Sequence, residues 1–416
     1  MIPNIKVLRV LLYNRQIGSL THLPGDKNLF TFDESYIQNP SRPILSLSFK
    51  DALGDLITNT RITQTRLPPF FANLLPEGLL RDYLAKRANI NPQHEFSLLS
   101  TLGQDLPGAL TIEAINDTEQ SHLPKEEILR NEKKKEIPLR FSLAGVQLKF
   151  SATKKTNHGL TIPTDGIGGG WIIKLPHTTF KGVPENEYAM MELARKIGID
   201  VPKTMLLPIN QLHGLPYGFE NLGDKVFAIE RFDRTSTGDG VHIEDFAQVF
   251  DVYPEKKYKN ASYRNIAEVI QSETGEVGIV EFIRRFVFNA LIGNGDMHLK
   301  NWSLIYREKA KASIAPAYDF VSTILYLPED KLALNFVDNK DFKSLTLDQF
   351  KRFSAKAKLS EKLILDTVQE TVQSFSEIWK TAEELPLSNE VYNSIVKHLK
   401  TVPLWNSNST QVTKNL

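Results

Sequence analysis

The chain has 416 residues, of which 41% are hydrophobic and 24% charged, and its formal net charge is +1. This length suffices for two or three domains with a large core, and the charge excludes a whole-molecule basic field for nucleic acid or anionic lipid. The absence of cysteine excludes disulfides, thiol catalysis and cysteine-ligated zinc. We expect a cytoplasmic globular protein, because the N-terminal segment does not form the apolar core of a signal peptide. In addition, no apolar run reaches the roughly 18 residues that a membrane helix requires.

The first 115 residues predict a small mixed α/β unit. Residues 5–12 and 17–20 alternate around a turn and predict a hairpin, and alternation over residues 42–49 predicts a third strand. Residues 67–78 lead into a helix through about Arg87. We find no titratable cluster suited to catalysis in this unit, so its exposed parts are expected to serve packing or a partner.

A polar, charged segment separates this unit from the next. Residues 116–140 predict a linker, and residues 141–150 then begin a second unit. The small residues Ala144 and Gly145 allow the backbone to approach a ligand, and N–H groups in such a turn can cradle phosphate oxygens. The alternative is an ordinary strand–turn–strand. The glycine run at residues 165–170 precedes a strand rather than a helix, so it predicts a flexible hairpin loop.

A lysine and a glutamate of this second unit are predicted to face each other. Lys174 lies in the apolar strand 171–176, and Glu187 lies on the inward stripe of the helix 184–197. A strand lysine joined to a helix glutamate positions ATP phosphates in protein kinases. The alternatives are a lysine that snorkels to solvent and a glutamate that stabilises the helix dipole. The pair together favours the functional interpretation.

The next strand, residues 226–234, ends in charged residues. In a two-lobed kinase such a strand runs into the hinge that binds adenine; the alternative is a surface ion pair of Arg231 or Arg234 with Asp233. Short helices at 245–250 and 263–270 follow, with a charged, aromatic loop at 253–259 between them, and residues 277–292 form the strongest helix.

That helix delivers a loop with the pattern Asp-x-His-x-x-Asn, from Asp296 to Asn301. Phosphoryl transfer requires a carboxylate near the substrate hydroxyl and an asparagine oxygen for magnesium; the alternative is an Asx-rich turn that closes a hairpin.

A hairpin over 302–306 and 313–317 then ends at Asp319, where kinases hold their metal, although Val321 replaces the glycine of Asp-Phe-Gly. Three helical segments from residue 346 to about 401 carry a basic cluster, which is interpreted as a solvated face or a nucleic-acid or partner patch.

Seven fragments in order resemble the HipA family of toxin kinases and span most of the chain. They are residues 70–76 (FFANLLP), 142–149 (SLAGVQLK), 172–176 (IIKLP), 186–188 (NEY), 230–234 (ERFDR), 294–301 (NGDMHLKN) and 318–319 (YD). The resemblance implies an α+β fold with two lobes, related to protein and phosphatidylinositol kinases, with an N-terminal α/β subdomain and an all-helical C-terminal lobe. The implied divisions are a subdomain (1–115), a linker (116–140), an ATP-binding lobe (141–235), a mainly helical catalytic lobe (236–405) and a disordered tail (406–416).

The resemblance also implies a role for each matching residue. Asp296 would be the catalytic base, Asn301 and Asp319 would bind Mg²⁺, and Ser142 would be an inhibitory autophosphorylation site, since phosphate adds about −1.5 to −2 charge beside the ATP phosphates. The remaining ATP-binding residues fall into three groups: Lys174, Glu187 and the loop over the phosphates (Ala144, Gly145, Val146, Gln147, Leu148, Lys149), the hinge (Glu230, Arg231, Phe232), and the pocket lining (His298, Leu299, Lys300, Tyr318).

Members of this family are serine/threonine kinases whose typical substrates are aminoacyl-tRNA synthetases, so that phosphorylation stalls translation. The implied partner is a small helix-turn-helix antitoxin, HipB-like, that binds operator DNA. The loops at 154–170 and 253–259 depart from the family, which leaves substrate choice open. Two alternatives remain: a catalytically silent nucleotide-binding co-repressor subunit, and a metal phosphoesterase that uses Asp296, His298 and Asp319 but lacks a histidine-rich ligand set.

Overall fold

The computed structural model describes residues 6–115, 148–155, 159–163, 168–177, 179–215 and 222–406. The predicted phosphate-loop residues Ala144, Gly145, Val146 and Gln147, the predicted phosphorylation site Ser142 and the predicted linker lie outside the described residues. Within the described ranges the strands form three sheets. No helix in this part of the chain combines the length and apolarity needed to span a bilayer.

An antiparallel sheet forms the N-terminal part of the molecule. Its strands are β1 (Val7–Leu12), β2 (Arg15–Leu23), β3 (Lys27–Phe32), β4 (Thr63–Gln64) and β5 (Leu110–Ala114), in the order β4-β3-β2-β1-β5. The helices of this part are α1 (Glu34–Ile37), α2 (Pro69–Ala72), α3 (Gly78–Arg87) and α4 (Glu95–Leu102). The predicted hairpin is confirmed, with Leu12 opposite Arg15.

The predicted third strand at residues 42–49 is wrong. Leu47–Phe49 forms a 3-10 helix instead, because the Ser46 side chain accepts a hydrogen bond from the backbone N–H of Ser48 and caps it. Serine side chains that bind nearby backbone groups compete with sheet pairing in this way. The strands that pair with the hairpin are β3, beside β2, and β5, beside β1.

A mixed sheet follows and carries the predicted lysine. Its strands are β6 (Lys149–Lys155), β7 (Gly159–Thr161), β8 (Trp171–Lys174), β9 (Thr204–Pro208), β10 (Leu212–His213) and β11 (Lys225–Glu230), in the order β10-β7-β6-β8-β11-β9. The alternation along β11 divides the core: Val226 and Ala228 join the hydrophobic cluster of the first sheet, whereas Phe227 and Ile229 join that of the C-terminal part. The two sheets therefore share one core.

The C-terminal part is mainly but not entirely helical. Its helices are α6 (Phe246–Val249), α7 (Tyr263–Ile292), α8 (Leu347–Ala357), α9 (Glu361–Trp379) and α10 (Asn389–Leu399), and α5 (Val183–Lys196) packs on the second sheet. The strands β12 (His242–Asp245), β13 (Ser303–Tyr306) and β14 (Ser313–Ile314) form an antiparallel sheet here. The α+β, two-lobed fold is thus confirmed, but the expectation of an all-helical C-terminal lobe is wrong, since the fully buried β13 requires strand partners for its backbone.

Helix α7 joins the two helices predicted at 263–270 and 277–292. Ser262 and Asn265 form a capping box at its start, Gly275 breaks the helical conformation with φ 68°, and Gly293 ends the helix in the left-handed conformation. Residues 282–292 of α7 are almost entirely buried. The helix end is therefore a rigid support for the loop that begins at Asn294.

Candidate active site

A cleft of about 550 Å³ lies between the second sheet and the C-terminal part, and Asn73, Leu74, Glu77 and Pro107 of the N-terminal part also line it. Its volume is typical of small-molecule sites. Most predicted site residues line it: Lys149, Lys174, Glu187, Glu230, Arg231, Phe232, Asp296, His298, Lys300, Asn301, Tyr318 and Asp319. Two described residues do not. Leu299 is fully buried in the C-terminal core, and Leu148 packs against the other core.

Lys174 is the centre of an ion-pair network in this cleft. Its Nζ donates to Oε1 of Glu187 at 2.5 Å and also to Oδ1 of Asp319. Burial alone would lower the pKa of Lys174, but Asp319 and Glu187 outweigh it and raise the pKa above its ordinary value. The predicted strand–helix ion pair is therefore present, and it extends to the carboxylate predicted to hold the metal.

A second lysine lies beside the first. Strand pairing places Lys149 opposite Lys174, and burial, together with the Lys174 charge, lowers the pKa of Lys149 to about 8. Burial would raise the pKa of Asp319, but these two lysines outweigh it and lower the pKa to about 2. Two lysines and two carboxylates, Glu187 and Asp319, therefore meet at this point of the cleft. The lysine ammonium groups are donors suited to the oxygens of a phosphate.

The backbone at Asp319 adopts an uncommon conformation. Its φ is 59°, a left-handed value that non-glycine residues rarely adopt and that clusters at functional sites. Nδ2 of Asn294 donates to the carbonyl oxygen of Asp319 at 3.3 Å and to Oδ1 of Asn289 at 2.7 Å. The end of α7 thus fixes the orientation of Asp319 as well as that of the loop containing Asp296.

Asp296 is held by its backbone, which leaves its carboxylate for the cleft. Its N–H donates to Oδ1 of Asn294 at 3.0 Å, and its carbonyl oxygen accepts from Nδ2 of Asn301 at 2.9 Å. Partial loss of solvation in the cleft raises the pKa of Asp296 to about 6, although a hydrogen bond from Tyr258 and the charge of Lys257 oppose the shift. A carboxylate with this pKa is ionised near neutral pH and is basic enough to accept a proton.

The N-terminal part contributes a carboxylate that sequence reasoning missed. Oε1 of Glu77 accepts from Nζ of Lys300 at 2.8 Å, and its Oε2 accepts from Nζ of Lys257 at 3.0 Å. Burial would raise the pKa of Glu77, but these lysines lower it to about 2. The first 115 residues were predicted to contain no titratable cluster suited to catalysis. They contain no such cluster by themselves, but Glu77 joins a site whose other members lie elsewhere in the chain. A lone glutamate after Leu-Leu-Pro was the available signal.

His298 is buried and neutral in this cleft. Burial, together with the charge of Lys257, lowers its pKa to about 3, and its Nδ1 has no hydrogen-bond partner among the described residues. Asp296, His298 and Asp319 share the cleft, yet no His, Asp and Glu group in the described ranges could hold a metal by itself. The objection made to a phosphoesterase from the sequence, the lack of a histidine-rich ligand set, therefore stands for the described residues.

The predicted hinge has one aromatic and one charged half. The ring of Phe232 stacks on Tyr318 with centroids 5.7 Å apart, and the Tyr318 hydroxyl donates to the carbonyl oxygen of Lys300 at 2.9 Å. Glu230 forms a partly exposed ion pair with Lys203 at 3.5 Å. Flat aromatic faces of this kind suit a planar ligand.

Arg231 lines the cleft, but its guanidinium is buried away from solvent in an ion-pair network. It donates to Oδ1 of Asp105 at 2.9 Å and to Oδ2 of Asp233 at 2.9 Å, and Arg234 pairs with the same two carboxylates. The surface ion pair considered above is therefore a buried one that joins the hinge to the N-terminal part. The sequence alone could not distinguish a surface ion pair from a buried one, because the partner Asp105 lies in a different unit.

Replacing Arg231 with methionine is expected to lower the free energy of unfolding by about 3 kcal/mol, because breaking a buried pair leaves charge without compensation. This value is at the low end of the roughly 3–5 kcal/mol that breaking a buried ion pair usually costs, since Arg234 still pairs with Asp105 and Asp233. Urea unfolding followed by circular dichroism measures the change. Arg264→Met is the matched control, because Arg264 forms only an exposed pair with Glu268 and should cost about 0.5 kcal/mol or less. Equal effects of the two replacements would contradict the role assigned to Arg231.

The residues at Asp319 fit a magnesium ion that is shared with a nucleotide. Magnesium prefers oxygen ligands and is commonly bound by one or two carboxylates together with substrate phosphates and water. Asp319 offers a carboxylate, and Asn301 offers its amide oxygen because its Nδ2 is taken by Asp296. Oε2 of Glu187 is also buried without a partner among the described residues. The donor set is therefore adequate only when phosphate oxygens complete it.

The chain is similar to proteins of one family along nearly its whole length. Family models of the HipA N-terminal domain and the HipA-like C-terminal domain match residues 8–113 and 141–379. The "Putative kinase Y4dM" of Sinorhizobium fredii is 49% identical over 407 residues, which cover 97% of this chain and 98% of that protein. The "Serine/threonine-protein kinase toxin HipA" of Shewanella oneidensis is 24% identical over 373 residues, or 82% of each chain.

A solved structure has the same fold. A chain of the Shewanella oneidensis MR-1 complex of HipA, HipB and operator DNA matches with a TM-score of 0.72 and 21% identity, and the match covers 96% of both chains. The two family models together span the N-terminal sheet and the cleft described above. The resemblance found in the sequence is confirmed: the chain belongs to the HipA family.

Proposed function

We propose that this protein is an ATP- and Mg²⁺-dependent serine/threonine protein kinase, the toxin of a toxin–antitoxin module. The observation that carries the proposal is that Lys174 joins Glu187 and Asp319 in the cleft that also contains Asp296 and Asn301. These are the residue types that phosphoryl transfer needs, at positions up to 145 residues apart in sequence. An ion pair with only a structural role would not require Asp296 and Asn301 in the same cleft.

Each residue then has one task. Lys174, oriented by Glu187, and Lys149 would bind ATP phosphates, and residues 144–147 would cover them. Asp319 and Asn301 would hold Mg²⁺, which neutralises phosphate charge in such enzymes. Asp296 would accept the proton of the substrate hydroxyl, and Glu230, Arg231, Phe232 and Tyr318 would form the wall on which adenine lies. A phosphate on Ser142 would add negative charge at the phosphate loop and inhibit the enzyme.

The partner proposed for this toxin is inferred from a relative, and the proposed substrate from the resemblance found in the sequence. The HipA of Shewanella oneidensis is solved in a complex with HipB and operator DNA, so we expect this chain to bind a HipB-like helix-turn-helix antitoxin and to reach DNA mainly through it. The expected substrate is a protein serine or threonine, with an aminoacyl-tRNA synthetase as the first candidate.

Incubating the purified protein with γ-labelled ATP and Mg²⁺, with and without a bacterial lysate, tests the proposal. Label on a serine or threonine, lost when EDTA is added, is the expected result. ATP binding by calorimetry without any transfer would contradict the kinase assignment and favour the co-repressor alternative, which a gel shift with operator DNA and antitoxin would then examine.

The pKa of Asp296 predicts a pH dependence. Because partial loss of solvation in the cleft raises this pKa to about 6, the base is protonated and inactive at lower pH, and kcat should rise between about pH 5 and pH 7. Initial rates across this range measure the profile, with circular dichroism at each pH to show that the protein stays folded. A rate that stays constant from pH 5 to pH 7 would contradict Asp296 as the base.

A further inference from the structure

A side chain of this protein fills the acceptor position beside Asp296. The hydroxyl of Tyr258 donates to Oδ1 of Asp296 at 2.5 Å, which is where the proposed reaction requires the hydroxyl of a phosphoacceptor. The Tyr258 ring packs edge-on against His298, with centroids 4.9 Å apart. Tyr258 therefore makes with the base the contact that a substrate side chain would make.

The backbone on both sides of Tyr258 is anchored, whereas its side chain is partly free. The carbonyl oxygen of Lys257 accepts from the N–H of Leu299 at 3.2 Å, and that of Tyr258 accepts from Nζ of Lys340 at 3.3 Å. Tyr258 nevertheless remains 40% exposed. Its ring can thus leave the cleft by side-chain rotation, without unpacking the core.

The surroundings of Tyr258 favour a phosphate on its hydroxyl. Lys256, Lys257 and Lys259 flank it in sequence, and Lys340 contacts its backbone. Lys257 is buried and paired with Glu77, whereas Lys256 and Lys259 are exposed. A phosphate of about −1.5 to −2 charge would be repelled by the carboxylate of Asp296 and attracted by Lys256, Lys259 and Lys340. Phosphorylation would therefore move the ring out of the acceptor position and stabilise it outside.

We propose that Tyr258 is a phosphoacceptor of this protein's own active site, an inference that rests on the kinase activity proposed above. The proton of the Tyr258 hydroxyl passes to the carboxylate of Asp296. The phenolic oxygen forms a bond to the γ-phosphorus of ATP, the bond from that phosphorus to the β–γ bridging oxygen breaks, and ADP leaves. Asp296 then releases its proton to solvent, and the product is phosphotyrosine at position 258.

Site mapping on the full chain tests the inference. The protein is incubated with γ-labelled ATP and Mg²⁺, digested, and examined by mass spectrometry and phosphoamino-acid analysis. Phosphotyrosine at position 258 is expected; Tyr258→Phe should abolish it. Tyr253→Phe is the matched control and should retain it, because Tyr253 lies in the same loop but packs on Arg66, 4.0 Å from its ring centroid.

The possible outcomes separate this inference from the proposed function. Label on serine or threonine alone would overturn the role of Tyr258 and leave the kinase assignment intact. No label on this protein or on any added protein would overturn both.

Discussion

Replacing Asp296 with asparagine is expected to lower the rate of phosphoryl transfer by about 10²–10⁴-fold, the usual contribution of a positioned general base. Asparagine has the same size and keeps the two hydrogen bonds that hold this residue, because both involve its backbone atoms. The loss should therefore appear in kcat, with little change in ATP affinity. Initial rates with labelled ATP and calorimetric titration with ATP measure the two quantities.

Asp338→Asn is the matched control for this replacement. Asp338 is a carboxylate outside the cleft that pairs with Arg352 and Lys356, and its replacement should leave transfer unchanged. If Asp296→Asn retained full activity, another group would have to accept the substrate proton, and the assignment of Asp296 would be wrong.

Replacing Asp319 with asparagine is expected to reduce both Mg²⁺-dependent ATP binding and transfer. The loss should exceed the roughly 10–100-fold that removal of an outer-shell partner costs, because a direct metal ligand is lost. Lys174 keeps Glu187 as a partner, so the fold should persist. Calorimetry with ATP, once with Mg²⁺ and once with EDTA, isolates the metal-dependent part of the affinity.

The thermal midpoint of Asp319→Asn, compared with that of Asp338→Asn, shows whether the fold is retained. A folded variant whose ATP affinity responds to Mg²⁺ as the unaltered protein does would remove Asp319 from the metal site. If Asp319→Asn loses ATP binding because it unfolds, its thermal midpoint will fall below that of Asp338→Asn, and this distinguishes unfolding from the loss of a metal ligand.

Local patterns were sufficient for the residues that carry the proposed chemistry. Alternation placed Lys174 in β8, helical spacing placed Glu187 on the inner face of α5, and the chain between α7 and β13 contained Asp296 and Asn301. Each of these features depends on a few consecutive residues, because backbone hydrogen bonding and periodic burial are local. The hairpin of β1 and β2 was predictable for the same reason.

Local patterns failed where a polar side chain replaced the expected pairing. Ser46 binds the backbone N–H of Ser48 and turns a predicted strand into a 3-10 helix. The alternation of apolar residues there was real, but side-chain hydrogen bonding to the backbone, which the pattern does not specify, decided the structure. The hairpin predicted at residues 302–306 and 313–317 is present as β13 and β14. The expectation of an all-helical lobe, which came from the family resemblance, is therefore the part that the structure corrects.

The sequence by itself determined the family, the two-lobed α+β fold and the set of acidic, basic and amide residues that meet in the cleft. Only the tertiary structure decided that Glu77 enters this cleft, that Tyr258 contacts Asp296 and that Arg231 is buried against Asp105. Glu77 and its partners Lys257 and Lys300 are separated by 180 and 223 positions. Such contacts arise from the packing of one unit on another, and their energy depends on burial that no local stretch of sequence contains.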